Sequence, residues 1–104
     1  MKRSNIFKNI PSELKEEVFQ KILETSEFTL ERIISYGHSS PKSGWYEQTE
    51  NEWVLLLEGE AVISFEDKDV RLCKGDYINI PALTKHKVSW TKPEVETVWL
   101  ALHY

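Results

Sequence analysis

The stretch EWVLLLEGEAVISFE, residues 52–66, admits few folds. It is apolar for most of its length, yet Glu58-Gly59 interrupts it well short of the roughly 20 apolar residues that a membrane-crossing helix needs. Its aliphatic, β-branched and aromatic content favours strands. Trp53 to Leu57 are apolar without a break, so both faces of that strand must be covered. The polar EDKD that follows (66–69) predicts a hairpin turn, with VRLCK as the return strand.

The same punctuation runs through the rest of the chain. EFTLERIISYG precedes the long apolar stretch and ends at Gly37, and HSSPKSG reads as a loop. DYINIPAL and KHKVSWT are separated by a corner at Pro81. KPE makes a turn, and ETVWLALHY supplies a last strand. About seven short strands at close spacing predict an all-β sandwich or barrel. Residues 1–26 read differently. Leu14, Val18 and Ile22 lie at i, i+4 and i+8, with Phe19 and Leu23 beside them, which predicts an amphipathic helix capped by Ser12. The expected organisation is an N-terminal helical segment (1–26) followed by the β-barrel (27–104). At 104 residues the chain has room for one core.

Charge and cysteine content narrow the function. Thirteen Lys and Arg against seventeen Asp and Glu give a net charge of −4, with no basic run, so nucleic acid is not an expected partner. Nothing predicts a membrane span or the apolar core of a signal peptide. The lone Cys73 has no internal disulfide partner, which points to a reducing compartment and makes the cytoplasm the expected location. It sits at a strand end with no nearby His or Asp, and reads as a structural thiol rather than a nucleophile.

Two spacings carry a resemblance. Glu52 and Gly59 are separated by six residues, and Tyr46 and Gln48 stand just before them. Gly75, Pro81 and His86 follow at intervals of six and five. The chain thereby resembles the cupin superfamily, whose double-stranded β-helix (jelly-roll) barrels carry two such motifs. The resemblance implies that Tyr46 and Gln48 occupy the positions of two metal-binding histidines, that Glu52 and His86 retain theirs, and that Leu83 and Trp90 replace a Gly and an Asn. It also implies that the strands bearing Glu52 and His86 lie side by side.

Strand parity then proposes a site. His86, Val88 and Trp90 share a face opposite Lys85, Lys87 and Ser89, so His86 and Trp90 are expected to point inward. A carboxylate there must be paired, hydrogen-bonded or bound to metal. In one reading Gln48, Glu52 and His86 hold a divalent ion, with Mn, Fe, Ni or Zn suited to an oxygen-rich set with one imidazole. A small organic ligand would then contact Tyr46, Trp90 and His103. In the other, Glu52, His86, Tyr46 and Gln48 form a metal-free polar network that binds a small molecule. Parity leaves His103 undecided because both faces of its strand are apolar, and a surface or hydrogen-bonded histidine is its bland alternative. His38, in the polar loop, is read as solvated or as a mobile ligand. Whether the protein is an enzyme stays open, since the fold hosts many reactions. Trp53 and the two-sided apolar strand predict a homodimer.

Overall fold

The computed structural model describes all residues 1–104. Eight strands run in chain order: β1 (Val18–Glu24), β2 (Thr29–Ser35), β3 (Glu52–Glu58), β4 (Glu60–Phe65), β5 (Asp69–Cys73), β6 (Tyr77–Ile80), β7 (His86–Thr91) and β8 (Thr97–His103). They form a five-stranded sheet, β1-β2-β8-β3-β6, facing a three-stranded sheet, β5-β4-β7. Each pairing is antiparallel. Val54, Leu56, Ala61, Ile63, Leu72, Ile80, Trp99 and Ala101 fill the space between the sheets. This is an all-β jelly roll. No helix is long and apolar enough to cross a membrane.

The seven segments read as strands form strands, and the Glu58-Gly59 break separates β3 from β4. Gly59 has φ of 95°, and a Cβ there would stand 2.8 Å from Thr97 Cα, so only glycine lets β8 pass this close.

The expected N-terminal helix is absent, and its second half is strand β1 instead. Val18, Phe19 and Ile22 are β-branched or aromatic, and β2 would otherwise expose a hydrogen-bonding edge. β1 pairs from Val18↔Ile34 to Glu24↔Thr29, with a bulge between Lys21 and Leu23. Thr25 Oγ1 closes the hairpin by accepting from the amides of Glu27 and Phe28. Ahead of β1, the chain is tied to the outer face of the sheet by Arg32. The residue is 8% exposed, and its guanidinium donates to the carbonyls of Ile6, Lys8 and Asn9 and to the Gln20 side chain. The apolar i, i+4 spacing was therefore coincidental with a bulged strand, in which the extra residue breaks simple alternation.

Candidate functional site

One end of the barrel holds a cavity of about 200 Å³. It is built by register. On β8, Thr97, Trp99, Ala101 and His103 point inward, and their partners on β3 are Leu56 opposite Trp99, Val54 opposite Ala101 and Glu52 opposite His103. On β2, Ile33 and Glu31 stand opposite Trp99 and Ala101, so they share that inward face. The apolar part of the wall includes Phe19, Ile33, Val54, Ile63, Ile80, Val88 and Trp99. The polar part collects at the mouth.

Glu52 and His86 meet there, but not on neighbouring strands. β3 and β7 belong to opposite sheets, so the two side chains reach each other across the interior. His86 Nε2 lies 3.0 Å from Glu52 Oε1, with the side chains 6% and 12% exposed. The strand neighbours of His86 are instead Phe65 on β4 and the Tyr46 segment, whose backbone exchanges two hydrogen bonds with it.

The second ring nitrogen bears on the protonation state. His86 Nδ1 is 2.9 Å from the Thr84 carbonyl, an acceptor, so Nδ1 carries a proton. Nε2 faces a carboxylate and needs a proton as well. Burial works against charging His86, but the hydrogen bonds to Glu52 and Thr84 and the charge of Glu52 outweigh it, and its pKa stands above the ordinary value. This geometry favours an imidazolium held between two acceptors.

His103 faces the cavity and extends this chain. Its Nε2 lies 2.9 Å from Glu31 Oε1 and 3.7 Å from Glu52 Oε2. Glu31, His103, Glu52 and His86 thus form an alternating acid–imidazole row. Tyr46 sits beside it, its ring centroid 5.7 Å from that of His86 and its hydroxyl bonded to Ser40. Burial pushes the Tyr46 phenol up; Ser40 pulls it down, and the charges of Glu17, Glu52 and Glu31 push it further up. Gln48 also lines the cavity, and its Oε1 is buried without a hydrogen-bond donor.

Trp90 lies elsewhere. A bulge interrupts the β4–β7 ladder, where Val62 pairs with Trp90 but Ile63 pairs with Val88. The skipped residue, Ser89, shifts the parity, so Thr91 becomes buried and Trp90 turns outward under the Arg71 guanidinium, 5.5 Å above its ring. Trp99 is the indole on the cavity wall. His38 is no mobile ligand either. Its Nδ1 accepts from the Tyr36 amide and its Nε2 donates to the Lys15 carbonyl, which consumes both nitrogens. Sequence reasoning missed Glu31 and Glu17. Glu31 shares its face of TLERIIS with Thr29, Ile33 and Ser35, while Arg32 shares the other with Leu30 and Ile34, so alternation gave no signal that Glu31 points inward.

A divalent ion fits these donors poorly as they stand. No group of three or more His, Cys, Asp or Glu side chains is arranged to hold one, and the Nε2 position a metal would need on His86 is engaged by Glu52. The unpartnered Gln48 Oε1 is the one donor of the expected set left free.

The sequence matches the family model described as "Cupin domain" over residues 33–103. The fold is similar to that of a Ralstonia eutropha JMP134 protein described as a "putative mannose-6-phosphate isomerase", with 38% identity, coverage of 99% of this chain and 97% of that chain, and a TM-score of 0.92. A cupin superfamily protein of Desulfitobacterium hafniense DCB-2 is 21% identical over 90% of this chain and 82% of that one, at a TM-score of 0.77. A Thermus thermophilus protein at 13% identity covers 99% of this chain and 96% of that one, at a TM-score of 0.81. The latter two likenesses speak to fold alone. No curated protein matches the sequence.

Proposed function

The chain belongs to the cupin superfamily, and from that premise we propose that it is a small-molecule-binding protein whose cavity works through the Glu52–His86 ion pair without a metal. The observation that carries this reading is the occupation of both His86 nitrogens, Nε2 by Glu52 at 3.0 Å and Nδ1 by Thr84 at 2.9 Å. A metal ligand must offer an unprotonated nitrogen, whereas both nitrogens of this imidazole face hydrogen-bond acceptors. Tyr46, Gln48 and His103 complete the polar rim, and the apolar wall supplies the burial that small ligands require. The site differs from the expectation in losing Trp90 and gaining Trp99 and Glu31.

A second reading, with a divalent ion at Gln48, Glu52 and His86, is favoured by one observation, the buried Gln48 Oε1 with no donor. Ligand binding satisfies that atom equally well, without breaking the ion pair. The substrate in the Ralstonia protein's description does not transfer readily. No Lys or Arg lines the cavity, so a phosphate would meet carboxylates and no fixed cation.

We also assign a two-fold homodimer to the outer face of the larger sheet. Trp53 and Leu55 stand opposite Leu102 and Leu100 there, all partly exposed, with Tyr77 stacked on Trp53 at 5.5 Å. Apart from Arg32, opposite Leu100 and already bonded to N-terminal carbonyls, this area carries no charge, and a second identical face complements it. A free thiol at exposed Cys73 suits a cytoplasmic protein.

The test of the binding reading is a fragment screen by thermal shift on the wild type and the Glu52→Gln, His86→Gln double variant. Fragments that raise the wild-type melting temperature and leave the variant unmoved support it. A wild type stabilised only by divalent ions, with no fragment effective, contradicts it.

A further inference from the structure

The cavity has a charge sign. Three carboxylates line it, Glu17, Glu31 and Glu52, against two imidazoles, His86 and His103, and neither a Lys nor an Arg. Two of the acids are taken up in histidine pairs, at 2.9 and 3.0 Å. The third is not. Glu17 accepts a hydrogen bond from Ser35 Oγ at 2.6 Å but has no cationic partner. Even with both histidines counted as cations, the cavity lining has one more carboxylate than cation. The adjoining outer depression shares Glu17 with the cavity and adds Glu16, Lys15 and Lys42; Lys42 already faces Glu16 at 3.4 Å, and neither lysine pairs with Glu17.

Two further observations give the sign a chemical meaning. The Gln48 Oε1 on the cavity wall is a buried acceptor without a donor, a costly state unless a ligand supplies one. Tyr46, its ring 5.7 Å from that of His86, lines the same cavity as all three carboxylates. Size sets the last limit. An apolar cavity of about 150 Å³ takes one benzene, so about 200 Å³ holds a body of roughly eight non-hydrogen atoms. The aromatic and aliphatic wall suits an apolar body, and its rings favour a cation.

We propose that the ligand is a small organic ammonium, an amine with a short apolar body, whose N–H groups are received by Gln48 Oε1 and whose charge is balanced by the unpaired Glu17. This deepens the metal-free binding reading and rests on it. Organic anions of the same size, and inorganic phosphate, are excluded by the same carboxylates.

The experiment is an NMR titration of the full chain, following the methyl groups of Val54, Ile63 and Ile80 and the indole of Trp99. The probes are n-butylammonium, 1-butanol, butanoate, inorganic phosphate and zinc ion. The expected result is a saturable shift of these signals with n-butylammonium, at least about tenfold tighter than with butanoate or phosphate, as an uncompensated buried charge demands. Glu17→Gln should weaken n-butylammonium about threefold, the worth of a partly exposed ion pair, and leave 1-butanol unchanged. Butanoate or phosphate binding as tightly overturns the cation assignment while leaving a metal-free binding cavity. Zinc shifting these signals while n-butylammonium does not, or no probe shifting them, overturns the assignment and the binding reading together.

Discussion

The substitution Glu52→Gln tests the ion pair at the centre of the site. It keeps the shape of the side chain and removes its charge. At 3.0 Å and an effective dielectric constant of about 20, the pair attracts by about 5 kcal/mol. Desolvation of two nearly buried ions consumes much of that, leaving about 2 kcal/mol, in the range of charge-assisted hydrogen bonds. The pH dependence has a definite sign. The folded-state pKa of His86 is raised above the ordinary 6.5, so its stabilisation is fully present below 6.5 and is lost as pH rises through the folded value. Above that value a neutral imidazole, with Nδ1–H fixed on Thr84, turns a lone pair toward the Glu52 carboxylate. The amide of the variant can donate to that lone pair. Glu52→Gln is therefore expected to cost about 2 kcal/mol near pH 6 and to cost nothing, or to stabilise, at pH values above the His86 transition. Urea denaturation followed by tryptophan fluorescence across this range measures the difference. A cost that stays constant with pH, or grows as pH rises, refutes the charged His86.

Other outcomes follow from single positions. Leu83 has φ of 64° and is 63% exposed, at the position where the cupin motif has glycine. Leu83→Gly should stabilise by about 0.5–1 kcal/mol, the left-handed strain relieved less the added chain entropy, read as a rise of a few degrees in Tm. Gly59→Ala should cost more than about 2 kcal/mol, since its Cβ would press to 2.8–2.9 Å on Thr97, and a Tm within a degree of wild type contradicts the packing. Trp90→Phe should leave ligand affinity within about twofold while Trp99→Phe weakens it, since only Trp99 lines the cavity; equal effects in a fluorescence titration contradict that placement. Leu100→Arg should convert the proposed dimer to monomer in analytical ultracentrifugation, because a charge without a partner enters an apolar seam; a monomeric wild type removes the dimer.

Much of the barrel was legible because its strands are short, punctuated and β-rich. The spacing of Gly75, Pro81 and His86 picked out the corner that carries His86, and alternation on EWVLL turned Glu52 inward as the structure has it. The failures have local physical causes. Simple parity misplaced Trp90 because a bulge at Ser89 inserts a residue that no hydrophobic pattern announces. His103 was ambiguous because β8 lies between β2 and β3 and carries the partly exposed Leu100 and Leu102 on its outer face, so apolar residues occupy both parities. The helix reading failed because Leu14, Val18 and Ile22 fit a helical stripe, while tertiary pairing with β2 decided the conformation. Glu31 was missed because it joins the site only through the β2–β8 register, far from either motif in sequence.

The central claim is that Glu52 and His86 bond each other rather than a metal. The most direct measurement is elemental mass spectrometry on tag-free protein, as purified and after exposure to excess Mn, Fe(II), Ni or Zn followed by desalting, beside the Glu52→Ala, His86→Ala double variant. Well under stoichiometric metal is expected in the wild type, with no difference from the variant. Near-stoichiometric metal in the wild type that disappears in the variant contradicts it.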